Sequence, residues 1–389
     1  MTFESQISKS FSIEEQIQLT NLRESIHREP ELSHKEFKTK QKIIDFIKAV
    51  GWDDVTSVDT GVLVSIPGSN PSAKGPIIVR GDMDALPIQE ATGLPYESIH
   101  KGCMHACGHD VHATALCALA ILLKKYPPQH SVLLLFQPAE ETATGAKLMI
   151  DSGKLPPTAL ACLGGHVDRR YVVGDVVLHD GAISASSDTF SFVCHGQSCH
   201  AARPNEGNNP IPIATEVASR LLTVSDLFDD SEKQAFVLSI TQMNTNSTAI
   251  NVIPSQTVIE GTIRSLSPEI RERVIQQLNV IAHAFDSVEL TTVKRSPAVI
   301  NHALLASMAN QLSSQSGVTI VPLSSPNMAS EDFGYYSERY PTWFFRFGAR
   351  KVMDVFIPAH QPTFFAETET AVVAAQVFFK CIEILEKEV

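Results

Sequence analysis

The sequence has few of the features that would place a protein on a membrane or on a nucleic acid. No apolar run approaches the length of a membrane span, and residues 1–12 have no apolar core of signal-peptide length. Its 31 basic residues are outnumbered by 43 acidic ones, which gives a formal net charge of -12. This charge disfavours nucleic acid or an anionic membrane as the main partner. A cytoplasmic location is expected.

Cysteine is scarce as well, and its number is odd. The 389 residues include 7 cysteines, which argues against a disulfide framework and for a reducing compartment. With 43% hydrophobic and 19% charged residues, the composition is typical of a soluble globular protein. We find no low-complexity segment, no charge block and no internal repeat. A chain of this length exceeds one ordinary hydrophobic core, so two domains are expected.

Short β-rich runs alternate with helical segments in the first part of the chain. Residues 62–66, 77–80, 132–136 and 160–163 are predicted strands, and residues 113–125 form a predicted helix. This alternation predicts an α/β fold with a mostly parallel sheet flanked by helices. Ligands of such sheets gather at the carboxyl ends of the strands.

The order of predicted strands and helices changes near Ser187 to β-α-β-β-α-β, which predicts a small inserted α+β domain with an antiparallel sheet. From about Pro297 the chain is expected to return to the first domain. The predicted domain bounds are therefore 1–186 and 298–389 for the first domain and 187–297 for the insert.

Two S-x-x-E patterns predict helix starts. They are Ser12 with Glu15 and Ser33 with Glu36. In this capping pattern, each side chain bonds the other residue's backbone N–H at the first turn of a helix.

Residues 104–112 (MHACGHDVH) hold the densest set of metal-ligand side chains. Three imidazoles, the thiol of Cys107 and one carboxylate lie within nine residues, and all of these groups ligate transition metals. Cys107 and His109 stand just before a predicted helix. The alternative is that Cys107 is a small buried residue and that the histidines brace the helix.

Paired carboxylates follow two of the predicted strands. Glu140 and Glu141 repel each other unless a cation compensates, so one can bind metal while the other acts as general base. Asp82 and Asp84 flank one residue and fall on one side of an extended chain, where one can orient a metal-bound histidine. The alternatives are a solvated turn for the glutamates and a capped loop for the aspartates.

Other polar residues are less informative by themselves. His166 follows two glycines after the fourth strand, and His360 lies between two prolines in a rigid loop. Either histidine taken singly is more often structural. His200, Asn251 and Arg264 lie in the predicted insert, and local argument does not place them near a metal.

Together these motifs resemble the amidohydrolase branch of the aminoacylase-type dinuclear metallopeptidases. That branch includes hippurate hydrolases, bacterial N-acyl-amino-acid amidohydrolases and plant indoleacetyl-amino-acid hydrolases. The resemblance covers nearly the whole chain in the same order. Its motifs are residues 81–87 (GDMDALP), 105–110 (HACGHD), 137–141 (QPAEE), 165–166 (GH), 200–202 (HAA), 251–254 (NVIP), 261–264 (GTIR) and 330–333 (SEDF).

The resemblance implies a catalytic domain with two divalent metal ions and an inserted satellite domain that often serves dimerisation. It implies zinc or manganese, with cobalt or nickel as substitutes, and a homodimer or homotetramer formed through the satellite. The implied metal ligands are Cys107, His109, Glu141, His166 and His360.

The resemblance also implies roles for the remaining site residues. Glu140 is the implied general base, and Asp84 is grouped with it as the orienting carboxylate. His200 would polarise the scissile carbonyl, from its own subunit or a partner. Asn251 and Arg264 would hold the substrate. The predicted reaction cleaves an N-acyl-L-amino acid to a carboxylic acid and a free amino acid.

Two departures from the family pattern bear on specificity. Residues 363–367 read TFFAE where relatives carry an aromatic and acidic tail, and Asn205 follows Pro204 where relatives often have histidine. Neither departure removes a ligand. Two other functions stay open, a dipeptidase or carboxypeptidase on the same metal core and a non-catalytic metal-binding protein, although the second needs no spare carboxylate such as Glu140.

Overall fold

The structure is a computed structural model that describes residues 10–71, 74–303, 309, 311–312, 318–323, 325–352 and 354–387. The chain divides into two compact units. The first unit comprises Met1–Gly181, Ile300–Ser324 and Tyr335–Val389, and the second comprises Ala182–Val299 and Ser325–Gly334. The segment 325–334 lies beyond the insert predicted at 187–297. The predicted lack of a signal sequence concerns residues 1–12, of which 1–9 lie outside the described residues.

Helices and strands are numbered here in chain order. The described helices are α1 (Ile13–Arg28), α2 (Phe37–Val50), α3 (His109–Lys125), α4 (Gly145–Asp151), α5 (Ile211–Leu222), α6 (Asp230–Lys233), α7 (Pro268–His283), α8 (Gly334–Ser337) and α9 (Glu369–Leu385). The described strands are β1 (Val55–Val58), β2 (Gly61–Ile66), β3 (Ile77–Asp82), β4 (Val132–Gln137), β5 (Ala161–Val172), β6 (Asp175–Leu178), β7 (Gly181–Ser184), β8 (Asp188–His195), β9 (Cys199–His200), β10 (Phe236–Thr245), β11 (Val252–Ile253), β12 (Gln256–Ser265), β13 (Val288–Lys294), β14 (Val299–Asn301), β15 (Thr319–Pro322) and β16 (Thr342–Arg350).

The first unit contains an eight-stranded sheet in the order β1-β2-β4-β3-β5-β16-β6-β15. Strands β4, β3, β5 and β16 run parallel to one another, with Ile77 opposite both Val132 and Ala161. The other pairs are antiparallel except β6 with β15. The prediction of a mixed, mostly parallel sheet is confirmed, and the carboxyl ends of β3 and β4 meet at one edge.

Helix α3 is the centre of the first unit's core. It packs against β3 and against helices α1, α2 and α9, and its residues from His109 to Leu123 are buried. A helix that is apolar all round needs such complete enclosure, because no side of it tolerates water. Enclosure on all sides fixes the position of the first residue of the helix, His109.

The second unit has the predicted β-α-β-β-α-β order. Its four strands pair antiparallel in the order β10-β12-β8-β13, with helices α5 and α7 between them in the chain. Along β8, buried residues such as Phe190 and Phe192 alternate with partly exposed ones, as a sheet with one covered face requires. The predicted α+β class of this segment is confirmed.

One of the two predicted capping boxes forms. Ser12 Oγ accepts a hydrogen bond from the Glu15 N–H at 3.2 Å, and Glu15 Oε2 accepts one from the Ser12 N–H at 2.7 Å. The prediction at Ser33 and Glu36 is wrong, because α2 begins at Phe37 and Glu36 is its first flanking residue. Both side chains are instead used in long-range contacts.

Among the described helices, none combines the length and apolarity needed to cross a membrane.

Candidate metal centre

Three loops, the first residue of one helix and one strand of the first unit bring the predicted ligands together. Cys107 precedes α3, and His109 is the first residue of α3. Glu141 follows β4, and His360 lies in the loop before α9. His166 was expected after its strand but lies within β5, because that strand continues to Val172.

The ligand atoms form two triplets that share a thiol. Cys107, His109 and His166 form one, and Cys107, Glu141 and His360 form the other, with all atoms of a triplet within 4.8 Å of one another. Cys107 Sγ lies 3.2 Å from His166 Nε2, and His360 Nε2 lies 3.6 Å from Glu141 Oε2. Two triplets that share one thiol are a candidate donor set for two cations.

Unpartnered buried atoms provide a test of whether a cation fits. His109 Nε2 and Glu141 Oε1 are buried, have no hydrogen-bond partner among the described residues, and lie 3.8 Å apart. This distance is too long for a hydrogen bond, and buried polar atoms without partners are costly. Imidazole nitrogen, thiolate and carboxylate are the ligands that zinc prefers, so the residues fit the expected metal.

Asp84 supports two of the ligands at once. Its Oδ1 accepts a hydrogen bond from His109 Nδ1 at 3.1 Å, and its Oδ2 accepts one from the Glu141 N–H at 3.1 Å. Ser33 Oγ donates to the same Oδ2 at 2.7 Å. Because Nδ1 donates to Asp84, Nε2 is the His109 nitrogen that faces the cluster, and it can offer a lone pair to a cation once it holds no proton.

Asp82 and His112 form a further group with His109, whose ligand atoms also lie within 4.8 Å of one another, and Asp82 Oδ2 is 3.7 Å from His109 Nε2. His112 Nδ1 donates to Asp82 Oδ1 at 2.5 Å, and its Nε2 accepts from the Val167 N–H at 2.9 Å. Arg80 also donates to Asp82 at 2.7 Å. Both ring nitrogens of His112 therefore form hydrogen bonds, although the density of ligand-type side chains in the motif suggested that His112 binds metal. His112 instead fixes the backbone beside His166.

The remaining groups of the motif face away from the metal ligands. Asp110 accepts from His27 and is paired with Arg23, both at 2.8 Å. His105 is buried with neither ring nitrogen hydrogen-bonded to a described residue, and burial lowers its pKa to about 3. Of the five ligand-type groups in residues 104–112, only Cys107 and His109 belong to the two triplets.

Gly108 is required between these two ligands. Its φ is +86°, and a Cβ built there would lie 2.4 Å from Val167 Cγ2. Any other residue would be strained and would collide with the strand that carries His166. The loop residues Ala139 and His360 also have positive φ, 54° and 66°. Such strain in residues other than glycine persists only where surrounding contacts enforce it.

The charges of the site shift the pKa values of its ligands. Burial raises the pKa of Cys107 well above its usual range and that of Glu141 to about 7. Burial disfavours protonation of His109, but the carboxylates of Asp82 and Asp84 outweigh it and raise its pKa. Ligands that hold protons without metal must release them on metal binding, so protons and cations compete for this site.

Glu140 lies beside the cluster. Its Oε2 is 4.0 Å from His109 Nε2, and the atoms of His109, Glu140 and Glu141 lie within 4.8 Å of one another. Its side chain keeps 11% of its surface exposed. A carboxylate at this place reaches both the cluster and solvent.

The second unit holds the other three predicted residues. Strands β9 and β11 pair His200 with Val252, and the Ala201 N–H donates to the Asn251 carbonyl at 2.9 Å. His200 Nδ1 accepts from the Ala202 N–H at 3.1 Å, so a neutral His200 carries its proton on Nε2. Arg264 lies on β12, and its Nη1 is buried with no hydrogen-bond partner among the described residues.

A sequence profile of the peptidase family M20/M25/M40 matches residues 78–384. The chain belongs to this family. It is therefore an enzyme, a hydrolase of amide bonds, as the resemblance predicted. An N-acetyl-L-cysteine deacetylase of Bacillus subtilis is 36% identical over 370 residues, covering 93% of this chain and 86% of the relative. Thermostable carboxypeptidase 1 of Saccharolobus solfataricus is 31% identical over 344 residues, covering 85% and 86%.

A solved structure supports the same family and fold. A dinuclear-metal-binding M20 peptidase of Bacillus subtilis is 30% identical, with a TM-score of 0.82 over 96% of this chain and 99% of that chain. The sequence did not reveal that Glu36 supports the loop that carries Glu140. Glu36 Oε1 accepts the Ala139 N–H at 2.9 Å, directly before Glu140, and its Oε2 accepts the Thr60 hydroxyl. The only signal in the sequence was the Ser33–Glu36 capping pattern, which predicted a helix start and not a contact at the site.

Replacing Asp84 with asparagine is expected to weaken metal binding about 10- to 100-fold, because the amide removes the charge that orients His109. Competition with a chromogenic chelator measures the affinity. Asp151→Asn, at an exposed carboxylate paired with Lys147, is the matched control. Unchanged affinity in the Asp84 variant would show that this carboxylate does not support the ligands.

Proposed function

We propose that the protein cleaves the amide bond of N-acyl-L-amino acids with the help of two divalent cations. The observation that carries the proposal is the pair of triplets sharing Cys107, with Glu140 4.0 Å from His109. Cys107, His109, Glu141, His166 and His360 would hold the cations. We propose zinc or manganese, with cobalt or nickel as substitutes. When bound, the cations polarise the scissile carbonyl and lower the pKa of the attacking water.

Glu140 is the proposed general base. Its carboxylate accepts a proton from the attacking water and later passes it to the nitrogen of the leaving amino acid. Its partial exposure supports this role, because a base must meet both water and the leaving group. Asp84 keeps His109 in the tautomer that a ligand needs.

The second unit is the proposed satellite domain, and the first unit is the catalytic one. We propose that His200, which carries its proton on Nε2, donates to the developing oxyanion from its own or a partner subunit. Arg264, with an unpartnered buried Nη1, would hold the substrate carboxylate, and Asn251, next to His200, would hold a carbonyl.

Self-association through the satellite, as a dimer or tetramer, is part of the proposal. Its edge strand β10 exposes Val237 and Met243, which a partner would cover. A monomer mass by light scattering would contradict it.

We also place the protein in the cytoplasm, because a Cys107 thiolate ligand is lost on oxidation. All seven cysteines are free.

A substrate panel tests the proposed specificity. N-acetyl- and N-benzoyl-amino acids and unblocked dipeptides are assayed with zinc, manganese and cobalt. We expect kcat/KM for an N-acyl-amino acid to exceed that for the matched dipeptide at least about 10-fold, the effect of one lost binding interaction. The carboxypeptidase relative makes peptide cleavage the second candidate, which the reverse preference would establish. Metal binding without any hydrolysis would contradict both.

A further inference from the structure

In the loop that carries His360, the described residues 351–352 and 354–368 form no helix or strand. It runs from the end of β16 at Arg350 to the start of α9 at Glu369. The His360 side chain is 54% exposed and its φ is 66°, so neither burial nor backbone preference holds it in place. Contacts from elsewhere in the first unit must do so. At the apex of the loop, the His360 N–H donates to the Ala106 carbonyl at 2.8 Å.

Arg169 holds both stems of this loop with one guanidinium. Its Nη1 donates to the Phe365 carbonyl at 2.7 Å, and its Nη2 donates to the Val355 carbonyl at 3.2 Å. These carbonyls lie five residues after and five residues before His360. The planar guanidinium offers donors in fixed directions, so one side chain can fix the separation of the two stems.

The guanidinium is built into the core rather than placed on the surface. Arg169 is 2% exposed, and its Cζ lies 4.1 Å from the centre of the Phe365 ring. The carboxylate of Asp354 pairs with it, at 3.9 Å from Nη2. Burial lowers the pKa of Arg169, but a guanidinium stays charged at neutral pH. A buried cation is retained only where its contacts repay its desolvation.

Residues 363–367, the segment that departs from the family pattern, supply the aromatic part of this contact. Phe365 stacks on Arg169, and the neighbouring Phe364 is buried in the main core, with its ring close to Gly108. The two phenylalanines therefore anchor the loop on two sides. Arg169 itself stands on β5, three residues after His166, so it joins the strand of one ligand to the loop of another.

We propose that Arg169 is a positioning residue that holds His360 in the second triplet, and thereby sets the affinity for the cation bound by Cys107, Glu141 and His360. The inference rests on the proposed two-cation site. Without the guanidinium, the stems can separate and His360 must be ordered when the cation binds. The triplet of Cys107, His109 and His166 takes no ligand from the loop and keeps its affinity.

The test is a zinc titration of the full chain, with bound zinc counted by elemental analysis at fixed free zinc. Arg169→Met should weaken the class of site that His360→Ala removes about 10- to 100-fold, with the other class within about threefold of the wild type. Arg169→Lys can donate to only one of the two carbonyls at a time, so its zinc affinity at that site should lie between those of the wild type and of Arg169→Met. The matched control is Arg170→Met, whose exposed guanidinium pairs with Asp168.

His360→Ala separates the inference from the proposal beneath it. If that variant binds two zinc ions as the wild type does, the proposed two-cation site is wrong. If it loses one ion while Arg169→Met keeps both affinities, the positioning role is overturned. Equal weakening of both classes in Arg169→Met also overturns it. Should Arg169→Met not fold, Phe365→Leu and Arg169→Lys give the same comparison, because each weakens the contact without leaving an empty core.

Discussion

Glu140→Gln is expected to bind two zinc ions with near wild-type affinity and to lose about 10²- to 10⁴-fold in kcat, the range for removal of a general acid–base group. The amide keeps the size of the side chain but accepts no proton at neutral pH. KM should change little, because the substrate does not depend on this group for binding. Steady-state kinetics on the best N-acyl-amino acid, with metal content measured on the same sample, give the result.

The adjacent Glu141 provides the matched control for this prediction. Glu141→Gln makes the same chemical change one residue away, but at a carboxylate whose Oε1 lies 3.8 Å from His109 Nε2 and whose Oε2 lies 3.6 Å from His360 Nε2. It should lose metal, whereas Glu140→Gln should not. If Glu140→Gln kept near-normal turnover, or if the two variants lost metal equally, the division of roles between the two carboxylates would be wrong.

Removing the metal is expected to abolish hydrolysis, with activity below about 1% of the untreated protein, since metal assistance accounts for several kcal/mol of transition-state stabilisation. Dialysis against a chelator followed by assay gives the loss, and adding back zinc or manganese should restore the rate. Circular dichroism shows whether the fold survives. Full activity in protein with negligible metal would exclude the proposed mechanism.

Metal removal should also lower the melting temperature. The predicted ligands come from three loops, a helix and a strand, and a cation that binds only the folded chain stabilises it by mass action. The loss of melting temperature should be reversed by the metals that restore activity. If added metal restored the melting temperature but not the activity, the stabilising cation would lie elsewhere in the molecule.

The strands and helices that the sequence predicted are those whose pattern is local. Period-two burial in β8 and the apolar run of α3 follow from adjacent residues, so their class could be read directly. Ser33 and Glu36 show where local reading fails. Their spacing is that of a helix cap, but Asp84 and Ala139, distant in sequence, compete successfully for the two side chains.

The candidate ligands divide in the same way. His105, His109 and His112 belong to one short motif, and nothing local distinguishes them. Only the fold directs His109 into the cluster and His112 towards Asp82 and Val167, and leaves both ring nitrogens of the buried His105 without a hydrogen bond to a described residue. The pair of carbonyls that Arg169 holds has no sequence pattern at all.

By itself, the sequence determined the α/β class, the α+β insert, the family and the inventory of thiol, imidazole and carboxylate groups, because these depend on residue type, order and short-range periodicity. The tertiary structure decided which groups meet. Cys107 lies 253 residues before His360 and 34 before Glu141, and proximity across such separations comes from strand order and core packing around α3. It also decided which nitrogen of each histidine is left for a cation, since that depends on the hydrogen bond its other nitrogen makes.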